Sequence, residues 1–567
     1  VDFDRKIIQA VATWHIEKQP EANLLLLDTK GLTVKKVMAG DSELTFRMGT
    51  TDNVLGTPLQ IEIGSEDTLL SIHYTTSPGA EALQWLDPQQ TSGEHPFLFT
   101  QSQAILARSW VPVQDSPGIR FTYTAEVTVP DGLLPLMSAS NPTETNPDNT
   151  YQFTMDQPIP AYLLALAVGK LEFRQVGSQT GVYAEPSVIS AAAAEFSDME
   201  KMLTAAEKLY GDYRWERYDV IVLPPSFPFG GMENPRLTFA TPTIIAGDKS
   251  LTSLIAHELA HSWSGNLVTN ATWDDFWLNE GFTVYFENRI MEEVYGADYA
   301  EMLMELGSDD LEEEVEILTK KGATEDTRLK LDLAGRNPDD GVTSIAYEKG
   351  FYFLKSLERI AGRTSFDAFL RQYFNENAFK SMDTENFIKY LQKNLIQKYD
   401  LNIDDNYLES WIYTPGLPES YQPVKSTRFE VVQEQVHAFI DGALASDLQT
   451  EQWSTHEWLY FLRNLPDSMS REKMQALDQH FNLTNSGNSE IFTVWAEHVI
   501  YSGYEPGYEA VTEFLINTGR RKFLIPLYKA LVASGKKEMA KNIYKEARPN
   551  YHFVSVNTID DMLNYNS

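Results

Sequence analysis

The stretch His257-Glu258-Leu259-Ala260-His261 is the most informative part of this sequence for fold and chemistry. A helix repeats about every 3.6 residues, so two histidines four positions apart share one face and can reach a single tetrahedral ion. Glu258 lies beside that face, where it can act as general base on a water that the metal activates. We predict a helix that begins at Thr252 or Ser253 and ends near Gly265. Two ordinary core histidines are the alternative.

Glu280 is the candidate for a third ligand, because a catalytic zinc ion usually has three protein ligands and a water. It lies in a second predicted helix that begins at Asp274 and continues to about Tyr295. The alternative is a surface carboxylate. Its neighbours Trp277 and Phe282 are apolar, and an unpaired charge among them would be costly. The pattern therefore favours the ligand role.

Glu287 follows on the same predicted helix, two turns after Glu280. At that position it can accept a hydrogen bond from a ligand histidine and fix the orientation of the ring. An exposed or salt-bridged glutamate is the other interpretation, and the sequence alone leaves both open.

The segment Gly230-Gly231-Met232-Glu233-Asn234 precedes the histidine motif. Two consecutive glycines allow the backbone to come close to a ligand, with peptide groups free to pair with an extended substrate. Glu233 would then anchor a positive charge. Taken alone, the segment is equally typical of a simple turn.

Composition limits the possible functions of the 567-residue chain. It contains no cysteine, which excludes disulfides, thiolate metal sites and a cysteine nucleophile, so a metal must be bound by His, Asp and Glu. With 46 Lys+Arg against 81 Asp+Glu the net charge is −35, which argues against nucleic-acid and anionic-membrane partners. We find no apolar stretch long enough to span a bilayer.

The sequence pattern changes three times, which predicts a multidomain α+β protein. Residues 1–172 alternate apolar and polar positions between turn signals, as antiparallel β domains do. Residues 173–414 are mixed and contain the motifs above. A Pro- and Gly-containing linker at 415–423 precedes a region of successive amphipathic helices at 424–567.

Together, these motifs resemble the zinc aminopeptidases of peptidase family M1, and most closely the leukotriene A-4 hydrolase branch with its bacterial relatives. The resemblance implies an N-terminal β saddle, a thermolysin-like zinc catalytic domain and a C-terminal α-helical superhelix. Four further motifs extend it over nearly the whole chain: Gln101-Ser102-Gln103-Ala104, Tyr347-Glu348-Lys349-Gly350, Pro415-Gly416-Leu417-Pro418 and Gly519-Arg520-Arg521-Lys522-Phe523.

The resemblance also implies roles for individual residues. One Zn²⁺ ion is expected on His257, His261 and Glu280. Glu258 is expected to activate water and pass the proton to the leaving amine, while Tyr347 is expected to stabilise the oxyanion as a hydrogen-bond donor.

Substrate recognition is implied at both ends of a short peptide. Glu233 and Gln103 are expected to bind the free α-amine, with the backbone of Gly230, Gly231 and Met232 beside them. Arg520 and Lys522 match the pair that binds the substrate carboxylate, a contact suited to guanidinium geometry. For these two, a basic helix end on an acidic protein is the alternative.

The segment from Asp339 to Val342 bears on whether the enzyme hydrolyses peptides or lipid epoxides. Asp339 matches the aspartate linked to the epoxide reaction of the leukotriene A-4 hydrolase branch, and an aspartate in a turn would look the same. Val342 occupies the position of a second tyrosine in that branch. Epoxide hydrolysis is therefore expected less than peptide hydrolysis.

The leading hypothesis is a zinc aminopeptidase that removes N-terminal residues from short peptides with a free amine. The alternatives are a bifunctional or lipid-epoxide hydrolase that uses the same zinc, and a non-catalytic scaffold with a structural metal. We expect a monomer, cytoplasmic by resemblance. The chain opens at Val1 without a methionine, and an expected missing N-terminal segment leaves a periplasmic or secreted protein as the alternative.

Overall fold

The computed structural model describes residues 1–19, 21–93 and 95–565, and the beginning of the chain consists of strands. These strands are β1 (Gln9–His15), β2 (Leu24–Leu27), β3 (Thr33–Ala39), β4 (Ser42–Glu43), β5 (Phe46–Met48), β6 (Leu59–Glu62), β7 (Leu69–Thr75), β8 (Leu83–Leu86), β9 (Phe97–Thr100), β10 (Arg120–Thr128), β11 (Leu134–Met137), β12 (Thr150–Pro160), β13 (Leu166–Gly169) and β14 (Glu172–Gln175).

Strands β1 through β13 pair antiparallel and form several small sheets. The strand orders are β1-β7-β3-β4, β2-β6-β5, β11-β13-β9-β8 and β10-β12. Strand β7 alternates buried and more exposed side chains along its length, as a half-buried strand does. The predicted antiparallel β region is present.

The middle of the chain is mixed and mostly helical. Its elements are β15 (Thr180–Ala184), α1 (Ile189–Glu195), α2 (Met199–Tyr210), β16 (Tyr218–Val222), β17 (Gly231–Met232), β18 (Thr238–Ala240), α3 (Ser253–Ala260), β19 (Val268–Asn270), α4 (Trp277–Tyr295), α5 (Ala297–Lys320), α6 (Gly350–Ala361), α7 (Arg363–Glu376), β20 (Lys380–Met382), α8 (Thr384–Leu391) and α9 (Asp405–Ile412).

A five-stranded sheet in the order β14-β15-β16-β18-β17 forms one side of this region. Strands β15, β16 and β18 are parallel, and β16 is buried along its whole length because both of its faces are covered. The short strand β17 pairs antiparallel with β18 and forms the edge of the sheet. This edge runs along helix α3.

Helix α4 lies in the centre of the middle region and is buried on nearly all sides from Trp277 to Met291. It packs against α3, α5 and α6. Contact with α6 is close, because a Cβ atom on Gly281 would lie 2.7 Å from the Cα atom of Gly350. A glycine is required on each side of such a backbone contact.

Two predicted helix limits were wrong. Helix α3 ends at Ala260 rather than Gly265, and the Thr252 hydroxyl donates back to the carbonyl of Lys249 instead of capping the helix. Helix α4 begins at Trp277, after a 3-10 turn that contains Asp274. The carboxylate of Asp274 accepts a hydrogen bond from a distant backbone amide, so a tertiary contact replaced the predicted cap.

The end of the chain is helical. Its helices are α10 (Thr427–Ile440), α11 (Thr455–Arg463), α12 (Arg471–Phe481), α13 (Ser489–Ser502), α14 (Tyr508–Asn517), α15 (Arg521–Ala533), α16 (Lys537–Ala547) and α17 (Phe553–Leu563). Alternate helices pack on one another, α11 on α13, α13 on α15 and α15 on α17, while α14 packs on α16 in a second layer. This arrangement is typical of a stacked helical superhelix.

Separate hydrophobic cores support these regions. One continuous core runs from the β8–β13 strands through the five-stranded sheet to α9, a second fills the C-terminal helices, and a small third lies between β2, β3, β6 and β7. Within the described residues, every helix is too short or too polar to cross a bilayer.

Candidate active site

Helices α3 and α4 bring the three predicted metal ligands together. The Nε2 atoms of His257 and His261 lie 3.3 and 3.4 Å from the Oε2 atom of Glu280. His261 and Glu280 are buried, and His257 is half-buried at the edge of the site. Nineteen positions separate His261 from Glu280, and an intervening turn with strand β19 reverses the chain between the helices.

The other ring nitrogen of each histidine is already occupied. Nδ1 of His257 lies 3.0 Å from the carboxylate of Glu287, and Nδ1 of His261 lies 2.8 Å from the carbonyl oxygen of Ser264. Acceptors at Nδ1 favour the tautomer that leaves Nε2 free of a proton. Both Nε2 atoms face Glu280, and in this tautomer each has the lone pair that a metal ligand needs.

This donor set fits a zinc ion. Two imidazoles and one carboxylate are a common ligand set for catalytic zinc. Oε2 of Glu280 is buried and accepts no well-formed hydrogen bond from the part of the chain that the structure describes. A buried carboxylate oxygen without a partner is costly, and a cation between the three side chains would remove that cost.

Glu258 follows His257 on helix α3 and is buried. Burial, together with the carboxylates of Glu233 and Glu280, raises the pKa of Glu258 to about 8, against the opposing effect of both histidines. The backbone of Gly231 lies directly against its carboxylate, since a Cβ atom on Gly231 would overlap it. The structure thus holds a basic carboxyl group between the edge of the sheet and the ligand cluster.

Glu233 lies close to this carboxyl group. Ligand-type atoms of Glu233, Glu258 and His261 all lie within 4.8 Å of one another. Glu233 is buried, its Oε1 atom accepts no hydrogen bond from the described residues, and burial raises its pKa. An unpaired buried carboxylate next to the metal ligands is chemically suited to a cationic group of a ligand.

Strand β17 presents the Gly-Gly-Met segment as a sheet edge. Gly231 and Met232 pair with β18 on one side, and the other side has no strand partner in the sheet. The Gln101 amide donates to Sδ of Met232 at 3.3 Å. A Cβ atom on Gly230 would lie 2.5 Å from Cδ1 of Leu254, so a side chain there would displace the end of the Leu254 side chain.

Tyr347 lies beside the ligand candidate His257. Its ring stacks on that of His257 with centroids 6.0 Å apart and 17° between the planes, and the edge of Phe276 packs against it. Burial, with the nearby carboxylates, raises the pKa of Tyr347 well above its usual value. The phenol therefore keeps its proton and can donate a hydrogen bond.

Gln103 and Asp339 lie together at a separate part of the wall. The carboxylate of Asp339 lies near the backbone amide of Ala104, the residue after Gln103, and burial raises its pKa to about 6. Both side chains are half-buried. Among the described residues, no hydrogen bond joins Gln103 to Glu233.

Arg520 reaches the site from the C-terminal region, at the start of α15, and Lys522 lies two positions later in the first turn of that helix. Arg520 is buried, and a Cβ atom on Gly230 would lie 2.9 Å from its Nη2 atom. Both side chains form ion pairs with Glu490, at 3.4 Å for Arg520 and 2.8 Å for Lys522. Among the described residues the pair therefore has one carboxylate partner, and the three side chains together carry a net charge of about +1.

The comparisons with known proteins agree with this geometry. Three family profiles match the chain: "Peptidase M1 N-terminal domain" over residues 1–163, "Peptidase family M1 domain" over 194–411 and "Leukotriene A4 hydrolase, C-terminal" over 453–563. Leukotriene A-4 hydrolase of Xenopus laevis is 38% identical over 98% of this chain and 94% of its own length. The chain belongs to peptidase family M1.

Other M1 relatives extend the comparison. Leucine aminopeptidase 2 of Yarrowia lipolytica is 36% identical, over 97% of this chain and 88% of its own length. The solved structure of yeast LTA4 hydrolase in complex with bestatin superimposes with a TM-score of 0.90 at 31% identity, covering 100% of this chain and 94% of that structure.

Membership of the M1 family confirms several predictions from the sequence. The architecture has an N-terminal M1 domain, a catalytic domain and a C-terminal helical domain. The protein is a hydrolase of the zinc aminopeptidase type, and the family implies zinc as its metal.

Three contacts at this M1 site were not predicted from the sequence. Thr283 is three positions after Glu280, and its Oγ1 lies 3.1 Å from Nδ1 of His261, so helical spacing would have revealed it. The carbonyl of Ser264 is a backbone group without any sequence signal. Glu490 lies more than two hundred positions from the ligands, and only the packing of α13 beside α15 reveals it.

Proposed function

We propose that this M1 enzyme removes single N-terminal residues from short peptides, with substrate recognised by its free amine. The observation that carries the proposal is the unpaired, buried carboxylate of Glu233 beside Glu258 and His261. A protonated amine held there would lie next to the reacting carbonyl, one residue from the end of the peptide.

His257, His261 and Glu280 would hold one zinc ion. Both groups of metal-type side chains found in the described residues include His261, which supports one ion rather than two. When bound, zinc lowers the pKa of a coordinated water and polarises the carbonyl of the substrate.

Glu258 would act as the general base and then as the general acid. Its raised pKa allows it to take the proton of the attacking water and later deliver it to the departing amine. Tyr347 would donate its phenolic hydrogen to the oxyanion, a contribution of about 3 kcal/mol for one such donor.

The edge of β17 would align the substrate. The carbonyls of Gly230 and Met232 already accept the amides of Thr241 and Asn234. The peptide groups of this Gly230–Gly231–Met232 segment that remain free on the unpaired side of β17 would pair with an extended peptide as an added strand does. Glu233 would receive the α-amine, with Gln103 on the adjoining wall. An internal peptide segment has no ammonium group there, and leaving Glu233 unpaired would cost about 3–5 kcal/mol.

Arg520 and Lys522 would bind the carboxylate at the other end of a short peptide. With Glu490 as their internal partner, the three side chains have the charge that one substrate carboxylate neutralises. For the domain limits we propose 1–172, 173–414 and 424–567, with a linker at 415–423; each family match falls inside one of these domains.

The test compares an aminoacyl arylamide with its N-acetylated form, in the unchanged enzyme and in Glu233→Gln. We expect cleavage of the free-amine substrate alone and a fall in kcat/KM of about 10²-fold in Glu233→Gln. Glu409→Gln, on the exposed face of α9, is the matched control and should leave the rate unchanged. Equal cleavage of both substrates would contradict the proposal.

A second candidate activity is hydrolysis of a lipid epoxide at the same site. The relative named leukotriene A-4 hydrolase and the position of Asp339 beside the Gln103 segment favour it. Product analysis with a fatty-acid epoxide tests the idea, with Asp339→Asn as the variant. Formation of a diol that Asp339→Asn abolishes would support it, and the absence of any diol would exclude it.

A further inference from the structure

Tyr347 lies in an unusual piece of backbone. Residues Ile345–Lys349 form one turn of π-helix, in which the amide of Gly350 donates to the carbonyl of Ile345 five positions earlier. Helix α6 continues directly from it. Such turns are less favourable than α-helix and occur frequently at functional sites, so the surrounding protein has to stabilise this one.

Lys349 ends the turn and points away from the active site. Side chains two positions apart on a helical turn lie on nearly opposite sides, so Tyr347 faces the ligands while Lys349 faces the protein interior. Lys349 is completely buried. Its Nζ donates to the carbonyl oxygens of Thr327 at 2.8 Å and Thr414 at 3.1 Å.

These two carbonyls belong to segments far apart in the chain. Thr327 ends a 3-10 turn after helix α5, and Thr414 follows helix α9. The hydroxyl of Thr327 also accepts the amide of Gly416 at 2.7 Å. Lys349 therefore ties the π-turn to two segments that are already joined to each other.

The charge of this buried amine has no carboxylate partner. No ion pair involving Lys349 occurs among the described residues, and burial lowers its pKa to about 7, helped by the nearby Arg328. Burying an amine without a counter-ion has a desolvation cost. An apolar side chain would fill the same volume without that cost. Unlike an apolar side chain, Lys349 links the turn to the carbonyl oxygens of Thr327 and Thr414 by two directed hydrogen bonds.

On the other side, the turn is held by close backbone contact. Gly281 follows the ligand Glu280, and its Cα lies so close to Gly350 that neither position tolerates a side chain without a shift. The carbonyl of Ala346 would lie 3.3 Å from a Cβ atom on Gly281. The π-turn is thus fixed between helix α4 and the Lys349 hydrogen bonds.

We propose that Lys349 is a positioning residue, which holds the π-turn so that the phenol of Tyr347 faces the substrate oxyanion. Lys349 itself does not touch substrate. The inference rests on the proposed role of Tyr347 as hydrogen-bond donor and extends it to the group that fixes the donor in place.

A double-mutant cycle tests this inference. Lys349→Met keeps an unbranched side chain, one heavy atom shorter, and removes both hydrogen bonds. In the zinc-loaded enzyme we expect kcat to fall about tenfold with KM and zinc content unchanged, because the donor is displaced but the ligands and Glu233 are not. In a Tyr347→Phe background the same substitution should change kcat less than about twofold, since no donor remains to be positioned.

The cycle separates the two proposals. If Tyr347→Phe alone leaves kcat unchanged, the proposed role of Tyr347 is wrong. If Tyr347→Phe lowers kcat and Lys349→Met lowers it by the same factor in both backgrounds, Lys349 acts independently and the inference is overturned. Lys349→Gln, which keeps one donor, replaces the methionine variant if that variant does not fold. Failure of both to fold would also overturn the inference, because Lys349 would then support the whole domain.

Discussion

Gly231 lies in direct contact with the carboxylate of Glu258, so closely that a Cβ atom on the glycine would occupy the space of Oε1. The contact joins the edge strand β17 to helix α3. It makes the position of the proposed general base depend on the absence of a side chain in the strand.

Gly231→Ala should therefore damage catalysis more than folding. The clash involves Oε1, Cδ and Cγ of Glu258, so this side chain has to turn aside, and the moved carboxyl group no longer meets the attacking water. We expect kcat to fall by about 10²-fold, while the midpoint of thermal unfolding changes by only a few degrees.

Gly487→Ala is the matched control for this substitution. A Cβ atom there meets no neighbour within 4 Å, and the residue lies in a loop before α13. Its kcat should equal that of the unchanged enzyme. A Gly231→Ala enzyme with full activity would show that Glu258 does not need the observed position.

Removing the contact between Glu287 and His257 should weaken metal binding. The carboxylate lies 3.0 Å from Nδ1 and fixes both the tautomer and the orientation of the ring. We expect Glu287→Gln to lower zinc affinity by about 10- to 100-fold, measured by competition with a chelator. Glu293→Gln, on the same helix but paired only with Lys208 at the surface, should leave the affinity unchanged. Equal affinities would contradict a role of Glu287 in orienting the ligand.

Arg520 should discriminate between substrates with and without a carboxylate. In Arg520→Gln we expect kcat/KM for tripeptides to fall about 10- to 100-fold, because a charge-assisted contact is lost. The rate on an aminoacyl arylamide, which has no carboxylate, should change less than about threefold.

The exposed Lys545→Gln on α16 controls for the loss of one positive charge. An equal effect of Arg520→Gln on both substrate types would assign Arg520 to packing against Gly230 and Thr243 rather than to substrate recognition.

A buried histidine should make the protein sensitive to acid. The His552 ring is completely buried, its Nδ1 accepts the amide of Val554 at the start of α17, and burial lowers its pKa to about 3. In the unfolded chain its pKa is about 6.5, so between these values the unfolded state binds a proton that the folded state does not. Stability therefore falls as the pH falls below about 6.5.

His552→Asn keeps a cap acceptor and removes the titration. Between pH 6.5 and pH 4.5, the unchanged protein should lose about 2 kcal/mol more of its free energy of unfolding than the variant does. Urea titrations at the two pH values measure the difference. Parallel pH dependence in the two proteins would show that His552 does not remain neutral in the fold.

Much of the metal site could be predicted because its information is local. The four-residue spacing of His257 and His261 is a property of one helix, and apolar neighbours identified Glu280 on the next. The change from alternating to helical periodicity indicated the order of the three regions for the same reason. Such patterns repeat within a short stretch of chain, so one sequence is enough to detect them.

The remaining features depend on tertiary contacts. Asp274 has the chemistry of a helix cap, yet its carboxylate accepts the amide of Leu333 and the helix begins three residues later. The π-turn that holds Tyr347 has no sequence signal, because it is stabilised by the carbonyls that Lys349 reaches. Glu490 meets Arg520 only through the packing of C-terminal helices.

The central claim is that Glu258 performs the proton transfers at a zinc ion held by its neighbours on α3 and α4. The most direct measurement is the turnover of an aminoacyl arylamide by Glu258→Gln, with zinc content determined on the same sample. We predict one zinc per chain, as in the unchanged enzyme, and a fall in kcat of about 10²- to 10⁴-fold. Full turnover by a zinc-loaded Glu258→Gln enzyme would contradict the mechanism.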